Sequence, residues 1–383
     1  MRRAYVSVSP DRVHQLARSF LADAVVWQAY RRSVSVADLL RLLLIMASTG
    51  RSLFATVVRR FTFSHETARR AVRANLPTVA ELTRSLVDSL HAAMQLSARD
   101  RRRHWTLAID THGVPYYGAR TPAVIGGPRK AGTKYSFGYA TAVLTHRHRR
   151  YTVAVCPLSP GDKPHQIVER LLDQVSRTGL RIRGVALDSG FDSGDVLLLL
   201  QSRRLAYVVP LRRKGRGDNQ RNRLFAGRDR LIRWAAWITD LSRRPVRTRT
   251  VLLRQPKRTM LLAFDGWNEN RARSVHQQAR HAHQTYRDRF GIETSYRQKN
   301  QAQPPTCSRD PAYRLLLQGV ALLLRQAWVR LTAELAAAGH DRADGWVATL
   351  TLADVLEHLR QTTADTPPTQ IPTPPPIINQ QTR

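Results

Sequence analysis

The sequence predicts an α/β fold in which a mixed sheet is flanked by helices. The evidence is the order of short strand-like runs and helical patterns, a helical first hundred residues, and a long apolar helix near the end. The strand-like runs and intervening helices follow the order strand, hairpin, helix, strand, helix, strand, as in "HWTLAID", "YSFGYATAVLTH", "RYTVAVCPL", "KPHQIVERLLDQVSRTG", "IRGVALDSG", "SGDVLLLLQSRR" and "AYVVPLR". That order is typical of a mixed sheet covered by helices.

Residues 1–100 are predicted to form a helical domain. The run "VADLLRLLLIMAS" has apolar residues at helical spacing, and Ser35 or Asp38 is suited to cap its start. A later helix, "SHETARRAVRANLP", begins at Ser64 and stops before Pro77. Two interpretations remain open: an ordinary bundle with a solvated basic face, or a helix-turn-helix-like domain whose arginines contact DNA, namely Arg69, Arg70 and Arg73.

The remaining chain divides by changes in composition. We expect the α/β domain to occupy 104–211 and to resume at 271–361, where "YRLLLQGVALLLRQAWVRLTAELAAAG" predicts a helix that closes the core. Between these parts, 212–270 begins with a charged, glycine-rich loop and continues with strand-like runs, which predicts an inserted β-rich subdomain. The Pro- and Thr-rich segment 362–383 is predicted to be a disordered tail.

The charge of the chain indicates a polyanionic partner. The sequence has 62 Lys and Arg residues against 28 Asp and Glu, a net charge of +34, and most of the basic residues are arginine. The planar fork of arginine suits phosphate, although a GC-rich genome would also explain arginine in place of lysine. Cys156 and Cys307 form no metal-binding or disulfide pattern, and the apolar runs are too short to span a membrane.

Three carboxylates occur at positions where a metal site would assemble. Asp110 ends the strand-like run "TLAID", Asp188 ends "GVALD", and Glu293 lies in a later helical segment. Sites in open α/β sheets form at the ends of strands, so these acids are expected to meet there. Carboxylate oxygens suit Mg²⁺ or Mn²⁺, and such a set would hold two ions about 3.5–4 Å apart for phosphodiester chemistry.

Structural interpretations of the same acids remain open. An aspartate after a strand is often a turn or helix cap, and Asp188 followed by Ser-Gly fits that role. Glu293 is spaced to form a helical ion pair with Arg289 or Arg297. Two further acids, Asp192 and Asp195, stand close enough in sequence to be mistaken for the second ligand.

The residues around Glu293 carry a resemblance to a known family. Tyr286, Arg289 and Glu293 match the spacing of a signature of DDE transposases of bacterial insertion sequences, of the IS4 type and close to the ISH3-like group. The blocks "IDTHGVPYYG" and "LDSGFDSGDVLLLLQSRRLAYVVPLRRKG" resemble the two aspartate blocks of that family. Where the family signature ends in lysine this chain has Asn300, and Lys299 stands one place earlier. The resemblance covers about 104–330.

The resemblance implies a fold, a chemistry and a set of partners. The fold would be RNase H-like with a β insertion, and Asp110, Asp188 and Glu293 would be the catalytic metal ligands for two Mg²⁺ or Mn²⁺ ions, without a small-molecule cofactor. The partners would be terminal inverted repeats and target DNA, held by a DNA-bound homodimer. The expected setting is the bacterial cytoplasm, associated with the nucleoid. Contacts to DNA near the scissile phosphate would come from Tyr286, Arg289, Arg297 and Lys299.

The implied activity is cut-and-paste transposition, with cleavage at the element ends followed by strand transfer into target DNA. Two alternatives remain at this point: a catalytically inactive, domesticated DNA-binding protein, and an RNase H-like nuclease without an integration step. Some family members stack a flipped base on an aromatic residue of the insertion. The candidates here are Trp234, Trp237 and Trp267, for which core packing is the alternative.

Overall fold

The computed structural model describes residues 8–145, 150–215, 220–239, 241–256, 258–267, 274–337 and 350–363. It begins with helices and continues into one mixed sheet with helices packed against it. The predicted disordered tail lies outside the described residues from position 364 onward. No single helix in the described ranges is long and apolar enough to cross a membrane, and only one sharply bent pair of N-terminal helices passes that test together.

The N-terminal helices start where their capping residues stand. They are α1 (Pro10–Ala24), α2 (Val36–Thr49), α3 (Leu53–Arg60), α4 (His65–Ala74), α5 (Val79–Ala92) and α6 (Ala98–Arg102). Ser35 and Asp38 form a reciprocal capping box at the start of α2, so both suggested caps act together. The helix ends at Gly50, whose φ of 64° is a left-handed conformation that glycine adopts without strain. Ser64 caps α4 as predicted.

Within the described ranges, nine strands form the sheet. They are β1 (His104–Tyr116), β2 (Ile125–Lys130), β3 (Thr133–Thr145), β4 (Thr152–Pro157), β5 (Arg181–Leu187), β6 (Ala206–Leu211), β7 (Ile232–Ile238), β8 (Pro245–Gln255) and β9 (Arg258–Asp265). The order across the sheet is β2-β3-β1-β5-β6-β9-β8-β7, with β4 also paired to β3. The β3–β4 pair is antiparallel, which confirms the predicted hairpin, and β1, β5 and β6 run parallel.

The remaining helices pack around that sheet. They are α7 (Pro164–Ser176), α8 (Gly194–Ser202), α9 (Gln220–Arg223), α10 (Val275–Arg289), α11 (Gly291–Gln301), α12 (Pro311–Ala337) and α13 (Leu352–Thr362). The helical segment predicted around Glu293 is divided at Phe290 into α10 and α11. The long α12 packs against α1, α2, α5 and α11, and its apolar residues lie in the main core cluster.

Strand β1 is buried on both faces between Leu107 and Asp110, which explains the apolar run Leu107–Ile109. Leu107 and Ile109 point into the main core, whereas Ala108 contacts Val143 and Ile292 on the opposite face. Side chains alternate along a strand, so Asp110 shares the second face with Ala108. The prediction that Asp110 ends its strand is wrong, because β1 continues to Tyr116 through antiparallel pairing with β3.

The segment between β6 and α10 extends the sheet. Strand β9 pairs antiparallel with β6, from Tyr207 opposite Asp265 to Leu211 opposite Leu261, and β8 and β7 follow outward. The predicted strands "VRTRTVLLRQ" and "RTMLLAFDG" correspond to β8 and β9. A second core cluster, which includes Phe264 and Trp267, joins these strands to α10.

Candidate active site

The strand register places Asp110 and Asp188 at neighbouring positions. The parallel pairing of β1 with β5 ends at Ile109 opposite Leu187. Asp110 directly follows Ile109, and Asp188 directly follows Leu187. The carboxylates of these two aspartates are close enough to interact electrostatically. The two aspartates therefore lie side by side where the parallel pairing of β1 and β5 ends.

Asp110 is the more enclosed of the two aspartates. Only 9% of the residue is exposed, and one carboxylate oxygen accepts a hydrogen bond from the amide of Thr111 at 2.8 Å. Burial raises the pKa of Asp110 to about 6, with a further increase from the charge of Asp188. The guanidinium of Arg289 partly offsets this increase. The carboxyl therefore ionises just below neutral pH and repels its neighbour once it does.

Asp188 acts as a cap and still faces Asp110. Its Oδ1 accepts a hydrogen bond from the amide of Gly190 at 3.0 Å, which starts the short 3₁₀ helix Ser189–Phe191. The capping interpretation of the sequence is therefore confirmed. A cap uses one carboxylate oxygen and leaves lone pairs available for another ligand, so capping does not remove this acid from the site.

Glu293 lies in the first turn of α11, on the far side of a shared arginine. Arg289 Nη2 donates to Glu293 Oε1 at 3.0 Å, and Nη1 of the same guanidinium is 3.5 Å from Asp110 Oδ2. The side chain of Arg289 is only 4% exposed, whereas that of Glu293 is 44% exposed. Of the two ion pairs that the sequence allowed, the structure forms the one with Arg289, which thereby connects two of the three predicted acids.

The donor set fits a hard divalent cation, although the acids are spread around Arg289. Three carboxylates and few nitrogen or sulfur donors are the chemistry that Mg²⁺ and Mn²⁺ prefer. Mutual repulsion between Asp110 and Asp188, visible in the raised pKa of Asp110, is the condition that a cation would relieve. Within the described ranges, however, no group of three or more His, Cys, Asp or Glu side chains is already arranged to hold a metal ion.

Comparison with known proteins identifies the kind of protein that carries this site. A family model described as "Transposase DDE domain" matches residues 101–302, just over half of the chain, and includes all three acids. The chain belongs to the DDE transposase family. DDE transposases cleave DNA and use divalent metal ions, so the transposase is a DNA-binding enzyme.

A solved structure shows the same fold. The transposase is similar to piggyBac transposase in a cryo-EM structure of its synaptic complex with hairpin DNA, with a TM-score of 0.59 and 13% sequence identity. The match covers 93% of this chain and 80% of that one. At this identity the likeness concerns the fold alone, which confirms the predicted α/β architecture. No curated protein sequence matches the chain.

Three of the four residues predicted to contact DNA from the signature region are buried instead: Tyr286, Arg289 and Lys299. Lys299 has no exposed surface, and its Nζ lies 2.9 Å from Gln318 Oε1 and 3.2 Å from Gln303 Oε1. Tyr286 is 3% exposed in the second core cluster. A direct contact between either side chain and a DNA backbone is therefore excluded in this arrangement, because protein atoms already surround both. Burial also lowers the pKa of Lys299 to about 7.

The other predicted DNA contacts have different surroundings. Arg297 is exposed on α11, as a DNA contact requires, whereas Arg289 is committed to the two acids. The three arginines of α4 are each more than half exposed in their side chains: Arg69, Arg70 and Arg73. Arg69 and Arg70 both bind Glu66, so one carboxylate offsets part of the charge on this helix.

A cavity of about 470 Å³ separates α4 from the segment after α11. Its lining includes Arg69 and Arg73 of α4, Arg309 of the later segment, and Phe54 of α3. It lies apart from the carboxylates, since none of the three acids lines it. The arrangement brings the arginines of the N-terminal helices and of the α/β domain onto one surface.

The tryptophans of the insertion differ in exposure. Trp267 is 3% exposed and donates its Nε1 hydrogen to the carbonyl of Tyr207 at 3.3 Å, so it packs in the core. Trp237 is partly buried against the main core. Trp234 is 54% exposed, with the guanidinium of Arg247 over its ring at 4.7 Å. Only Trp234 of these three presents a largely free aromatic surface.

Sequence reasoning missed the part played by Tyr296. Its hydroxyl donates to the backbone carbonyl of Asp110 at 2.8 Å, and its ring lies 4.4 Å from that of His112. The usable signal was its spacing, since a residue three positions after Glu293 lies on the same side of the helix. His112 and Gln318, which bond each other at 3.1 Å behind this ring, had no comparable signal.

Proposed function

We propose that Asp110, Asp188 and Glu293 are the catalytic, metal-binding carboxylates of a cut-and-paste transposase. The observation that carries the proposal is the position of Asp110 beside the other two acids: burial is the main cause of its raised pKa, and the charges of Asp188 and Glu293 raise it further. Asp110 interacts with both other acids in a protein that has only 28 acidic residues against 62 basic ones. A carboxyl group whose pKa is raised both by burial and by neighbouring charges is typical of functional sites.

The three carboxylates would bind two Mg²⁺ or Mn²⁺ ions. Bound there, the cations would activate water or a 3′-hydroxyl and stabilise the leaving oxygen of a phosphodiester. Asp110 and Asp188, on adjacent strands, would supply oxygen ligands from a rigid sheet. Glu293, on the more exposed start of α11, would complete the set after giving up part of its ion pair with Arg289.

The DNA partners would be the terminal inverted repeats of a mobile element and its target. Support comes from the net charge of +34 and from the exposed arginines of α4 and α11. We infer that two copies assemble on paired ends, and that the element belongs with IS4-type insertion sequences. The piggyBac complex contains hairpin DNA, so a hairpin intermediate is a reasonable product to look for first.

The test is a cleavage and strand-transfer assay on DNA that carries the element ends, with Mg²⁺ or Mn²⁺. Asp110→Ala, Asp188→Ala and Glu293→Ala should each reduce cleavage by at least about 100-fold, because each removes a ligand of the reacting phosphate's metal. DNA affinity should remain close to that of the wild type, since the basic surface carries it. Normal cleavage by Glu293→Ala would contradict the assignment.

A matched control is available on the same segment. Asp195 lies in the first turn of α8, seven residues after Asp188, and its carboxylate accepts a hydrogen bond from Ser242 Oγ. Asp192 is likewise bound by the guanidinium of Arg221 and the amide of Arg212. Asp195→Asn should therefore cleave at the wild-type rate. Cleavage without strand transfer would favour the nuclease alternative, and binding without cleavage would favour the inactive DNA-binding protein.

A further inference from the structure

Helix α11 is attached to strand β1 at the residue that carries the first carboxylate. The hydroxyl of Tyr296 donates to the backbone carbonyl of Asp110 at 2.8 Å and lies 2.8 Å from Thr141 Oγ1. Asp110 and Thr141 are directly opposite each other in the antiparallel pair of β1 and β3. One phenolic oxygen therefore contacts both strands at the same level of the sheet.

The direction of these hydrogen bonds follows from the number of protons. A carbonyl oxygen only accepts, so the single hydroxyl proton of Tyr296 goes to Asp110. The hydroxyl of Thr141 must then donate to the Tyr296 oxygen.

The ring of Tyr296 is held by packing as well as by its hydroxyl. It lies 4.4 Å from the ring of His112, and it packs against the small apolar cluster of Ala108, Val143 and Ile292. The position of α11 over this face of the sheet is thus set by apolar contacts, while its position along β1 is set by the polar contact to Asp110.

Glu293 lies on the same side of α11, three residues before Tyr296, because residues at that spacing are neighbours on a helix. A contact that ties Tyr296 to Asp110 also limits how far Glu293 can move from the Asp110 carboxylate. The ion pairs of Arg289 with both acids are a weaker restraint on that distance, since a metal ion would compete for the same oxygens.

We propose that Tyr296 is a positioning residue of the transposase, whose hydrogen bond to the backbone of Asp110 sets the separation of Asp110 and Glu293 for metal binding. The inference rests on the proposed function, because it assumes that these two acids bind the cation. Outer residues that hold metal ligands in place typically contribute about 10- to 100-fold to metal affinity or activity.

Tyr296→Phe tests this with little change of shape. The variant removes one hydroxyl and keeps the ring on His112 and on the apolar cluster. Mn²⁺ affinity of the full-length protein without DNA, measured by electron paramagnetic resonance of free Mn²⁺, should fall about 10-fold. The cleavage rate at saturating DNA should fall similarly, while DNA affinity should stay at the wild-type value.

Thr141→Val is the matched control, because it removes the other hydrogen bond of the same phenol. The bond from Tyr296 to Asp110 survives in that variant, so Mn²⁺ affinity should stay within about twofold of the wild type. Equal losses in both variants would show that general packing is responsible and would overturn the proposal. Wild-type Mn²⁺ affinity in Tyr296→Phe would overturn it as well.

Failure of this inference can be told from failure of the proposed function. Asp110→Ala and Glu293→Ala should reduce Mn²⁺ affinity more than Tyr296→Phe does, because they remove ligands directly. If neither alanine variant affects Mn²⁺ affinity, the assignment of the acids is wrong. If both do and Tyr296→Phe does not, only the positioning role is wrong.

Discussion

Arg289 is the residue on which the electrostatics of the carboxylate site depend. Its guanidinium contacts Asp110 at 3.5 Å and Glu293 at 3.0 Å while almost wholly buried. A buried guanidinium without acids nearby would be costly, and two acids close together without a cation would be costly too. The guanidinium and the two acids therefore offset the cost of burying one another's charges. A divalent cation that binds there would have to replace part of the positive charge that Arg289 supplies to the acids.

The proposed metal binding should depend on pH through Asp110, whose pKa is about 6. Below that pH a proton occupies the carboxylate and competes with the metal, so Mn²⁺ affinity should fall by up to about tenfold per pH unit. Arg289 lowers this pKa, so Arg289→Gln should move the midpoint to higher pH. Titration of Mn²⁺ affinity between pH 5 and 8 gives the midpoint.

Arg297→Gln is the control for that shift. Arg297 is an exposed arginine of α11, and it is not among the main causes of the raised pKa of Asp110. Its substitution should leave the midpoint unchanged. A midpoint that moves equally in both variants would indicate a general effect of net charge and would count against a specific role for Arg289.

Lys299 makes the stability of the protein depend on pH. Burial lowers its pKa from 10.5 to about 7, so between these values the unfolded chain binds a proton that the folded chain does not. The free energy of unfolding should therefore rise with pH above 7, by about 1.4 kcal/mol per unit from this group. Lys299→Met should remove that rise, as measured by urea denaturation at pH 7 and pH 9.

An exposed lysine provides the comparison. Lys134 lies on the surface of β3, and Lys134→Met should keep the wild-type slope. A wild-type protein whose stability is flat between pH 7 and 9 would show that Lys299 stays protonated in the folded protein over that range. The lowered pKa of Lys299 would then be incorrect.

At the scale of elements, the parallel strands β5 and β6 approach each other closely at a glycine. A Cβ atom on Gly184 would lie 2.7 Å from the carbonyl oxygen of Ala206 and 2.6 Å from Trp267. Gly184 and Ala206 are paired in the sheet, and Trp267 follows the last strand of the insertion. This glycine therefore allows the insertion to pack against the strand that leads to Asp188.

Gly184→Ala should destabilise the protein by about 1–3 kcal/mol, because backbone and indole atoms on both sides must move. Gly126→Ala is the matched change in strand β2, where a new Cβ would meet nothing within 4 Å. Urea denaturation of both variants measures the difference. Equal stabilities would contradict the close approach of Trp267 to β5.

At the scale of the whole molecule, excess positive charge is distributed over separate elements. The exposed arginines of α4 belong to the N-terminal helices, whereas Arg297 and Arg309 belong to the α/β domain. A net charge of +34 attracts any polyanion, so charge alone supplies affinity and not sequence preference.

Glu66 provides a test of whether α4 contacts DNA. Its carboxylate binds both Arg69 and Arg70, and these ion pairs lower the pKa of Glu66 to about 2. Glu66→Gln would free both arginines, so DNA affinity should rise and the slope of log affinity against log salt should steepen by about one. Fluorescence anisotropy with labelled DNA across a salt series measures both quantities.

The control for that experiment is Glu357→Gln. Glu357 forms an exposed ion pair with Arg360 on α13, so its removal changes net charge by the same amount at a different place. The same increase in both variants would contradict a DNA contact at α4 and leave only the net charge. A larger increase for Glu66→Gln is expected.

Local sequence patterns were sufficient for much of the architecture. The apolar runs before Asp110 and Asp188 predicted strands β1 and β5, the capping residues Ser35 and Ser64 predicted helix starts, and the spacing of Tyr286, Arg289 and Glu293 indicated the family. These features depend on residues within a few positions of each other. Backbone propensity, the alternation of apolar and polar residues, and helix capping act over that range, so they can be recognised in the sequence alone.

Tertiary structure alone decided the environments of the site residues. The continuation of β1 past Asp110 depends on β3, the burial of Lys299 depends on Gln318, and the bond from Tyr296 to Asp110 joins residues 186 positions apart. The sequence around a lysine or tyrosine does not show whether its side chain faces DNA or the protein core. Its pKa, exposure and partners are set by packing between distant segments, which the order of neighbouring residues does not specify.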